Sequence, residues 1–291
     1  MSSSPLANAG LTCVAVGLNG VRRRYFRHSC ADASAKTLLR YAHRGDVMDR
    51  GGFHMTNERR LARWAGLIYL VVVITGFFSQ GYVPGRVAAP GHPEALLGNI
   101  VAHEMLFRAG IAAFMVEHAT FLVLPLLLYR LLGTVHRGAA MAMVAFAFAG
   151  VPMALLAVAH RLDAVLLLTD AGHLPVELAH AMAWLSLKSY ANDILVASVF
   201  WGLWLFPFGY LVIRCGRLPR ILGLLLMLGG AGYLVDVFGQ LLLPGYADMT
   251  FSNYVNLPAA IGEMGTCLWL LVMGIRERAV EQHSDPTGSA V

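Results

Sequence analysis

Charged residues are scarce in this sequence. Asp, Glu, Lys and Arg together make up 13% of its 291 residues, whereas 57% are hydrophobic and the mean hydropathy is +0.62. Soluble domains carry about 25% charged residues. The shortage of charge therefore excludes an ordinary soluble domain and indicates a protein that crosses a membrane several times.

Cysteine is also scarce, and the common catalytic motifs are missing. The four cysteines include no CxxC pair, so we interpret them as free thiols. The chain has no GxSxG, no phosphate-binding loop, no HExxH and no paired-histidine haem signature. No nucleic-acid-binding motif is present either. The sequence therefore leaves any cofactor unknown, predicts no nucleic-acid partner and gives no ground for naming an enzyme.

Long apolar runs are what the sequence has instead, and the clearest covers residues 219–244. This run can cross a hydrocarbon core of about 30 Å at roughly 1.5 Å per residue. Gly229, Gly232, Asp236 and Gln240 follow helical spacing within it and share one face. The glycines allow a neighbouring helix to approach closely, and the polar pair is expected to face protein, water or a ligand.

Five further apolar runs raise the number of predicted membrane spans to six. Two amphipathic stretches, 93–107 and 178–188, suit short helices lying on the membrane surface. The predicted fold is therefore an all-α polytopic membrane helix bundle, with six transmembrane helices and one or two short interfacial helices. The predicted spans cover about residues 64–83, 109–132, 138–162, 190–213, 219–243 and 254–275.

The two ends of the chain differ from the predicted bundle, which we assign to residues 55–278. Residues 1–54 hold eight Lys and Arg against three Asp and contain no run long enough to span a membrane. We expect them to be a disordered extension or an artefact of a wrongly assigned start, with translation beginning at Met48 or Met55. Residues 279–291 form a polar tail that we also expect to be disordered.

The basic residues are distributed unevenly between the two sides of the predicted bundle. Ten arginines flank the spans on one side, against three arginines and one lysine on the other. Because short cytoplasmic loops are rich in Lys and Arg, this bias predicts that both termini are cytoplasmic and that the protein lies in the plasma (inner) membrane. The ten are Arg59, Arg60, Arg63, Arg130, Arg137, Arg214, Arg217, Arg220, Arg276 and Arg278; the four are Arg86, Arg108, Arg161 and Lys188.

Several segments carry a resemblance to a known family. They are RLARWAGLIYL, NIVAHEMLFRAG, LLLYRLLGTVHRGAA, the whole of residues 209–246, and IGEMGTCLWLLVMG. Together they resemble an uncharacterised bacterial membrane family, catalogued as domain of unknown function 4386, over roughly residues 60–274. The resemblance implies a six-helix integral membrane protein. It implies no activity, so no functional residue is carried over from it.

The ionisable residues inside the predicted spans gather toward the outer side of the membrane. A charge near the bilayer centre costs about 2.5–3.5 kcal/mol or more, so these side chains are expected to face the bundle interior. Arg161 is the evident cation for this group, and it cannot neutralise Glu117, Asp236 and Glu263 together. At least one of these carboxyl groups is therefore expected to be protonated or to share a proton. The predicted polar cluster comprises Glu117, His118, His160, Arg161, Asp236, Gln240 and Glu263.

Three functions fit this cluster. The first is a pocket that binds a small polar ligand or a lipid headgroup, or that relays protons. The second is a membrane-embedded enzyme, either lipid-modifying or metal-dependent, in which a carboxyl works with His118 or His160. The third is a structural or partner-binding subunit whose polar cluster is sealed. Aromatic residues between Phe200 and Tyr210 are expected to face lipid and the membrane interface. The sequence does not determine the oligomeric state.

Overall fold

The computed structural model describes residues 57–275, except for the side chain of Asn253. The predicted N-terminal extension and C-terminal tail lie outside these residues. The described part is helical and contains no strand. Its helices are α1 (Asn57–Val87), α2 (Pro93–Ala102), α3 (Glu104–Leu132), α4 (Arg137–Thr169), α5 (Val176–Cys215), α6 (Arg220–Leu242) and α7 (Leu257–Val272), with two 3-10 turns, Tyr246–Asp248 and Thr250–Asn253, before α7.

Six of these helices are long and apolar enough to cross a membrane. These six are α1, α3, α4, α5, α6 and α7, and the span that includes α7 begins at Thr250, in the preceding 3-10 turn. The predicted all-α polytopic bundle with six transmembrane helices is therefore confirmed. The protein is a multi-pass membrane protein whose helices contact the lipid bilayer.

The helix bounds differ from the predicted spans mainly around the α4–α5 hairpin. Helix α4 continues to Thr169, and α5 begins at Val176, so residues 178–188 form the first part of α5 and not a separate helix. The reason is local: residues 176–190 contain no Gly or Pro that would end the helix. Helix α2 is a separate short helix, as residues 93–107 predict, but it ends at Ala102.

Helix α6 packs tightly along its glycine face, as the sequence predicts. A Cβ added to Gly229 would lie 2.4 Å from the Cα of Ala259 in α7, and one added to Gly232 would lie 2.3 Å from the carbonyl oxygen of Val255. Real Cβ atoms do not approach other atoms so closely. Glycine is therefore required at both positions for α6 and the segment leading into α7 to touch.

Two aromatic residues of α5 lie in the core, contrary to the expectation that this aromatic run faces lipid. Trp204 and Phe208 are buried and stack with ring centroids 5.2 Å apart. Phe121 of α3 meets Trp204 edge-on at 5.0 Å. The expectation was wrong for these two residues because the side of α5 that carries them packs against α3.

Helix α1 contains a wide turn at the level of this core. Its backbone is π-helical from Phe77 to Tyr82, immediately after Gly76. A Cβ on Gly76 would lie 2.8 Å from the Oε1 atom of Glu117, so α1 passes directly over that carboxylate. Single π-helical turns in membrane and soluble helices often occur at functional sites.

Candidate functional site

A cavity of about 360 Å³ lies inside the helix bundle. Five helices contribute to its wall: α1, α3, α5, α6 and α7. Residue Asn256, just before α7, completes the lining. The lining residues are Tyr69, Val72, Val73, Gly76, Phe77, Gln80, Glu117, His118, Phe121, Trp201, Trp204, Tyr233, Asn256, Ala260, Glu263 and Met264.

Glu117 of α3 is held at the cavity by two side chains of α1. The hydroxyl of Ser79 donates a hydrogen bond of 3.2 Å to its Oε2 atom, and Nε2 of Gln80 donates one of 3.1 Å to Oε1. Both donors are neutral. They orient the carboxylate and satisfy part of its hydrogen-bonding capacity without cancelling its charge.

Glu263 of α7 is held by a third side chain of α1. The Tyr69 hydroxyl donates a hydrogen bond of 3.1 Å to its Oε1 atom. The Tyr69 ring is almost completely buried, so this contact fixes the hydroxyl inside the bundle. The donor is again neutral, and both carboxylates of the cavity are therefore positioned by uncharged groups.

Aromatic rings form a large part of the cavity lining. Trp201 and Trp204 of α5 and Tyr233 of α6 all line the cavity. The buried His118 ring stacks on Phe114 with centroids 4.2 Å apart, and its Nδ1 atom lies 3.0 Å from the Phe114 carbonyl oxygen. Because a carbonyl only accepts hydrogen bonds, that nitrogen carries the proton. His118 is therefore anchored to its own helix and presents its ring to the cavity.

Among residues 57–275, no Lys or Arg lines the cavity. Arg161 of α4 is buried behind the wall, where its Nη1 atom donates a hydrogen bond of 3.3 Å to the backbone oxygen of Ser79. Its guanidinium also lies over the Tyr190 ring, 4.2 Å from the centroid. Arg161 is therefore linked to Glu117 through Ser79 and also attracts it electrostatically from behind the wall. In the part of the chain that the structure describes, the cavity lining itself has two carboxylates and no Lys or Arg.

The other residues of the predicted cluster lie outside the cavity lining. His160 of α4 has its Nε2 atom 3.2 Å from Oδ2 of Asp193 on α5. Asp236 accepts a hydrogen bond of 3.2 Å from Nδ2 of Asn256, so it adjoins the cavity through that residue. Gln240 lies further along α6 and lines a second cavity of about 410 Å³ around the turn that follows this helix.

The structure thus brings together three of the seven predicted site residues. Glu117, His118 and Glu263 line one cavity, and Asp236 lies behind them. Within residues 57–275, no group of three or more His, Cys, Asp or Glu side chains is placed to hold a metal ion. The metal-dependent alternative consequently has no ligand set in this part of the chain.

Several lining residues were not part of the predicted cluster. Gln80 lies inside a mostly apolar span, next to the Ser79 that bonds Glu117, and Asn256 precedes the last helix, so their polarity was a usable signal. Tyr69, Tyr233 and Trp201 carried no such signal. Tyrosine and tryptophan are common at membrane interfaces, and only the packing of the helices shows that these three line a cavity.

Comparison with known proteins identifies one family and little else. The pattern of the family described as "Domain of unknown function (DUF4386)" matches residues 64–274. A protein of Archaeoglobus fulgidus, named only "Uncharacterized protein", is 26% identical over 91 residues, which are 30% of this chain and 50% of that protein. This chain therefore covers half the length of that relative. No solved structure matches.

Proposed function

This chain belongs to the DUF4386 family of domains of unknown function, and we propose that it binds a positively charged organic ligand in the cavity between its membrane helices. One observation carries the proposal: Glu117 and Glu263 line the same cavity, and no Lys or Arg of the described part of the chain lines it with them. A carboxylate removed from water is costly unless a positive charge or enough hydrogen bonds compensate it. Arg161 offsets part of the charge of Glu117 from behind the wall, and a cationic ligand supplies the positive charge that the two carboxylates still lack.

The aromatic part of the lining favours an organic ammonium over a metal ion. Trp201, Trp204, Tyr69 and Tyr233 offer ring surfaces, and aromatic rings attract quaternary and protonated amines through their negatively charged faces. A metal ion prefers several carboxylate or histidine ligands at short distance, and residues 57–275 offer no such group. The volume of about 360 Å³ falls within the usual range of about 300–1,000 Å³ for sites of small organic ligands.

Binding of choline tests the proposal, with 3,3-dimethyl-1-butanol as its uncharged isostere. The protein is purified in an uncharged maltoside detergent, in a variant whose other three tryptophans (Trp64, Trp184 and Trp269) are replaced by Phe, so that the fluorescence of Trp201 and Trp204 reports occupancy of the cavity. We expect choline to change the fluorescence saturably and the alcohol to have no such effect. Glu263→Gln is expected to weaken choline binding about tenfold or more, since a hydrogen-bonded or paired charge is worth about 1.5–3 kcal/mol.

Glu104→Gln is the matched control, because Glu104 lies at the start of α3, away from the cavity, and pairs with Arg108 at 2.6 Å. This variant is expected to bind choline as the unaltered protein does. Equal responses to choline and to the alcohol would contradict the proposal, as would a Glu263→Gln variant that binds choline normally.

A sealed structural cluster is the second candidate, and one observation favours it. Both carboxylates already accept hydrogen bonds, Glu117 from Ser79 and Gln80 and Glu263 from Tyr69. Polar residues that join helices in this way stabilise membrane bundles. Under this alternative, Glu263→Gln lowers the melting temperature, and neither choline nor its isostere changes the tryptophan fluorescence.

We further propose that the protein lies in the plasma membrane with both termini in the cytoplasm. The proposal is supported by the ten arginines at one end of the spans against four basic residues at the other. A cysteine-free variant carrying one new cysteine, at His136 or at His173, tests it. An impermeant maleimide added to intact cells is expected to label position 173, between α4 and α5, and not position 136, between α3 and α4. The reverse pattern would contradict the orientation.

A further inference from the structure

Helices α1 and α7 touch at one level of the membrane and separate at another. A Cβ on Gly66 would lie 2.5 Å from the backbone nitrogen of Leu271, so the two helices are in close contact there. The hydrogen bond from Tyr69 to Glu263 is the next link between them. About two turns further along α1, Gly76 lies against Glu117 of α3 instead. Beyond Tyr69, α1 therefore leaves α7 and approaches α3.

The cavity borders this separation. Val73 and Phe77 line it from α1, and Ala260 and Met264 line it from α7. We call these four residues the seam. All four are apolar, whereas the side chains deeper in the cavity include Glu117 and Glu263.

The seam is also exposed on the outside of the bundle. Phe77 is 71% exposed and Met264 is 43% exposed, although both line the cavity, and Ala260 is exposed as well. Each lies within a helix that is long and apolar enough to cross the membrane. We infer that surface exposed within these spans faces lipid tails. The seam therefore connects the acidic interior of the cavity with the hydrocarbon of the bilayer.

From this arrangement we propose that the ligand is a cationic single-chain amphiphile that enters from the bilayer. Its ammonium group lies in the cavity with Glu117 and Glu263, and its alkyl chain passes through the seam into the lipid. The charge of the two carboxylates selects the head, and the apolar seam accommodates the tail without removing it from hydrocarbon. This proposal rests on the function proposed above, since it requires that the cavity bind an organic cation.

A bulky residue placed in the seam should obstruct the alkyl tail of the ligand more than its ammonium head. Probes with a short and a long tail therefore test the lateral route separately from the cation site. The probes are ethyltrimethylammonium, which fits inside the cavity, and dodecyltrimethylammonium, whose chain must leave it. We expect Ala260→Phe to weaken binding of the dodecyl compound about tenfold, because added bulk in a filled space is poorly tolerated. Because Ala260 also lines the cavity, the measured quantity is the ratio of the two affinities, and we expect the variant to shift it against the dodecyl compound.

Ile261→Phe is the matched control, because Ile261 is the next residue of α7, is 50% exposed and does not line the cavity. It is expected to change neither affinity. Comparing variants with the same compound cancels the partitioning of that compound into micelles. Val73→Phe blocks the seam from α1 and replaces Ala260→Phe if that variant fails to fold.

The two proposals fail in different ways. The cation site stands if the ethyl compound binds and Glu263→Gln weakens its binding. In that case the lateral route is still wrong if the seam variants change the affinities for both compounds equally, or change neither. If neither compound binds the unaltered protein, or if both bind without depending on Glu263, the cation site is wrong and the lateral route falls with it.

Discussion

The hydroxyl of Tyr69 in α1 donates a hydrogen bond of 3.1 Å to Glu263 in α7, joining residues 194 positions apart in the chain. On one side of this bond, the first and last described helices, α1 and α7, are in contact at Gly66. On its other side, the cavity lies between these two helices. The bond therefore stands at the boundary between the packed and the open part of the bundle. It also sets the position of one of the two carboxylates on which the proposed function depends.

Removing the Tyr69 hydroxyl should destabilise the protein. Tyr69→Phe leaves the Glu263 carboxylate without its donor in a setting that excludes water, which typically costs about 1–3 kcal/mol. We expect a lower melting temperature in detergent, measured by circular dichroism. Tyr254→Phe is the control, because the side chain of Tyr254 is 63% exposed, and it should melt as the unaltered protein does. Equal melting temperatures for both variants would show that the bond contributes nothing.

A methyl group at Gly76 should disturb the cation site more than the fold. Its Cβ would lie 2.8 Å from the Oε1 atom of Glu117, so the carboxylate has to move and its bonds to α1 are strained. We expect Gly76→Ala to weaken choline binding by about fivefold, which corresponds to one hydrogen bond of about 1 kcal/mol. Gly85→Ala lies on the same helix with nothing within 4 Å and should bind normally. Unchanged binding by Gly76→Ala would argue that Glu117 does not contact the ligand.

Alanine at Gly229 should weaken the joint between α6 and α7. The added Cβ would meet the Cα of Ala259 at 2.4 Å, and backbone cannot move aside as a flexible side chain can. Overpacking of this kind costs about 1–3 kcal/mol, so we expect a clearly lower melting temperature for Gly229→Ala. Gly98→Ala, at an open position of α2, should be neutral or slightly stabilising. A Gly229→Ala variant as stable as the unaltered protein would mean that the helices are not in contact there.

Binding of a permanently charged ligand should weaken as the pH falls. Choline keeps its charge at every pH, so only the protein can respond, and protonating Glu117 or Glu263 removes the charge that attracts the ligand. Affinity is therefore expected to be greatest at high pH and to decline on acidification. Titrations between pH 5 and pH 8 measure this, with the Glu263→Gln variant expected to show a shallower decline. An affinity that rises on acidification would contradict the role given to the carboxylates.

The sequence predicted those features that follow from the length and chemistry of single helices. Six spans follow because an apolar run can cross a bilayer only if its backbone is bonded within a helix. The face that carries Gly229 and Gly232 follows from helical spacing alone, and its close packing is confirmed. The expectation that Glu117 and Glu263 avoid lipid follows from the cost of a charge in hydrocarbon.

Features that depend on which helices are neighbours could not be predicted in this way. Trp204 is buried against Phe121, yet its apolarity suits lipid equally well, because lipid tails are as apolar as a protein core. Arg161 was the evident cation for the cluster, but it lies behind the wall over Tyr190. Its place depends on the rotation of α4 against α1 and α5. Many weak packing contacts set that rotation together, and no single motif encodes it.

Isothermal titration of choline into the purified protein and into the double variant Glu117→Gln, Glu263→Gln tests the central claim most directly. The two substitutions keep the shape of the cavity lining and remove both of its negative charges. The account predicts saturable binding of choline to the unaltered protein and no measurable binding to a double variant that still folds. Choline binding of equal strength by the two proteins would contradict it, because the cavity would then not act through its carboxylates.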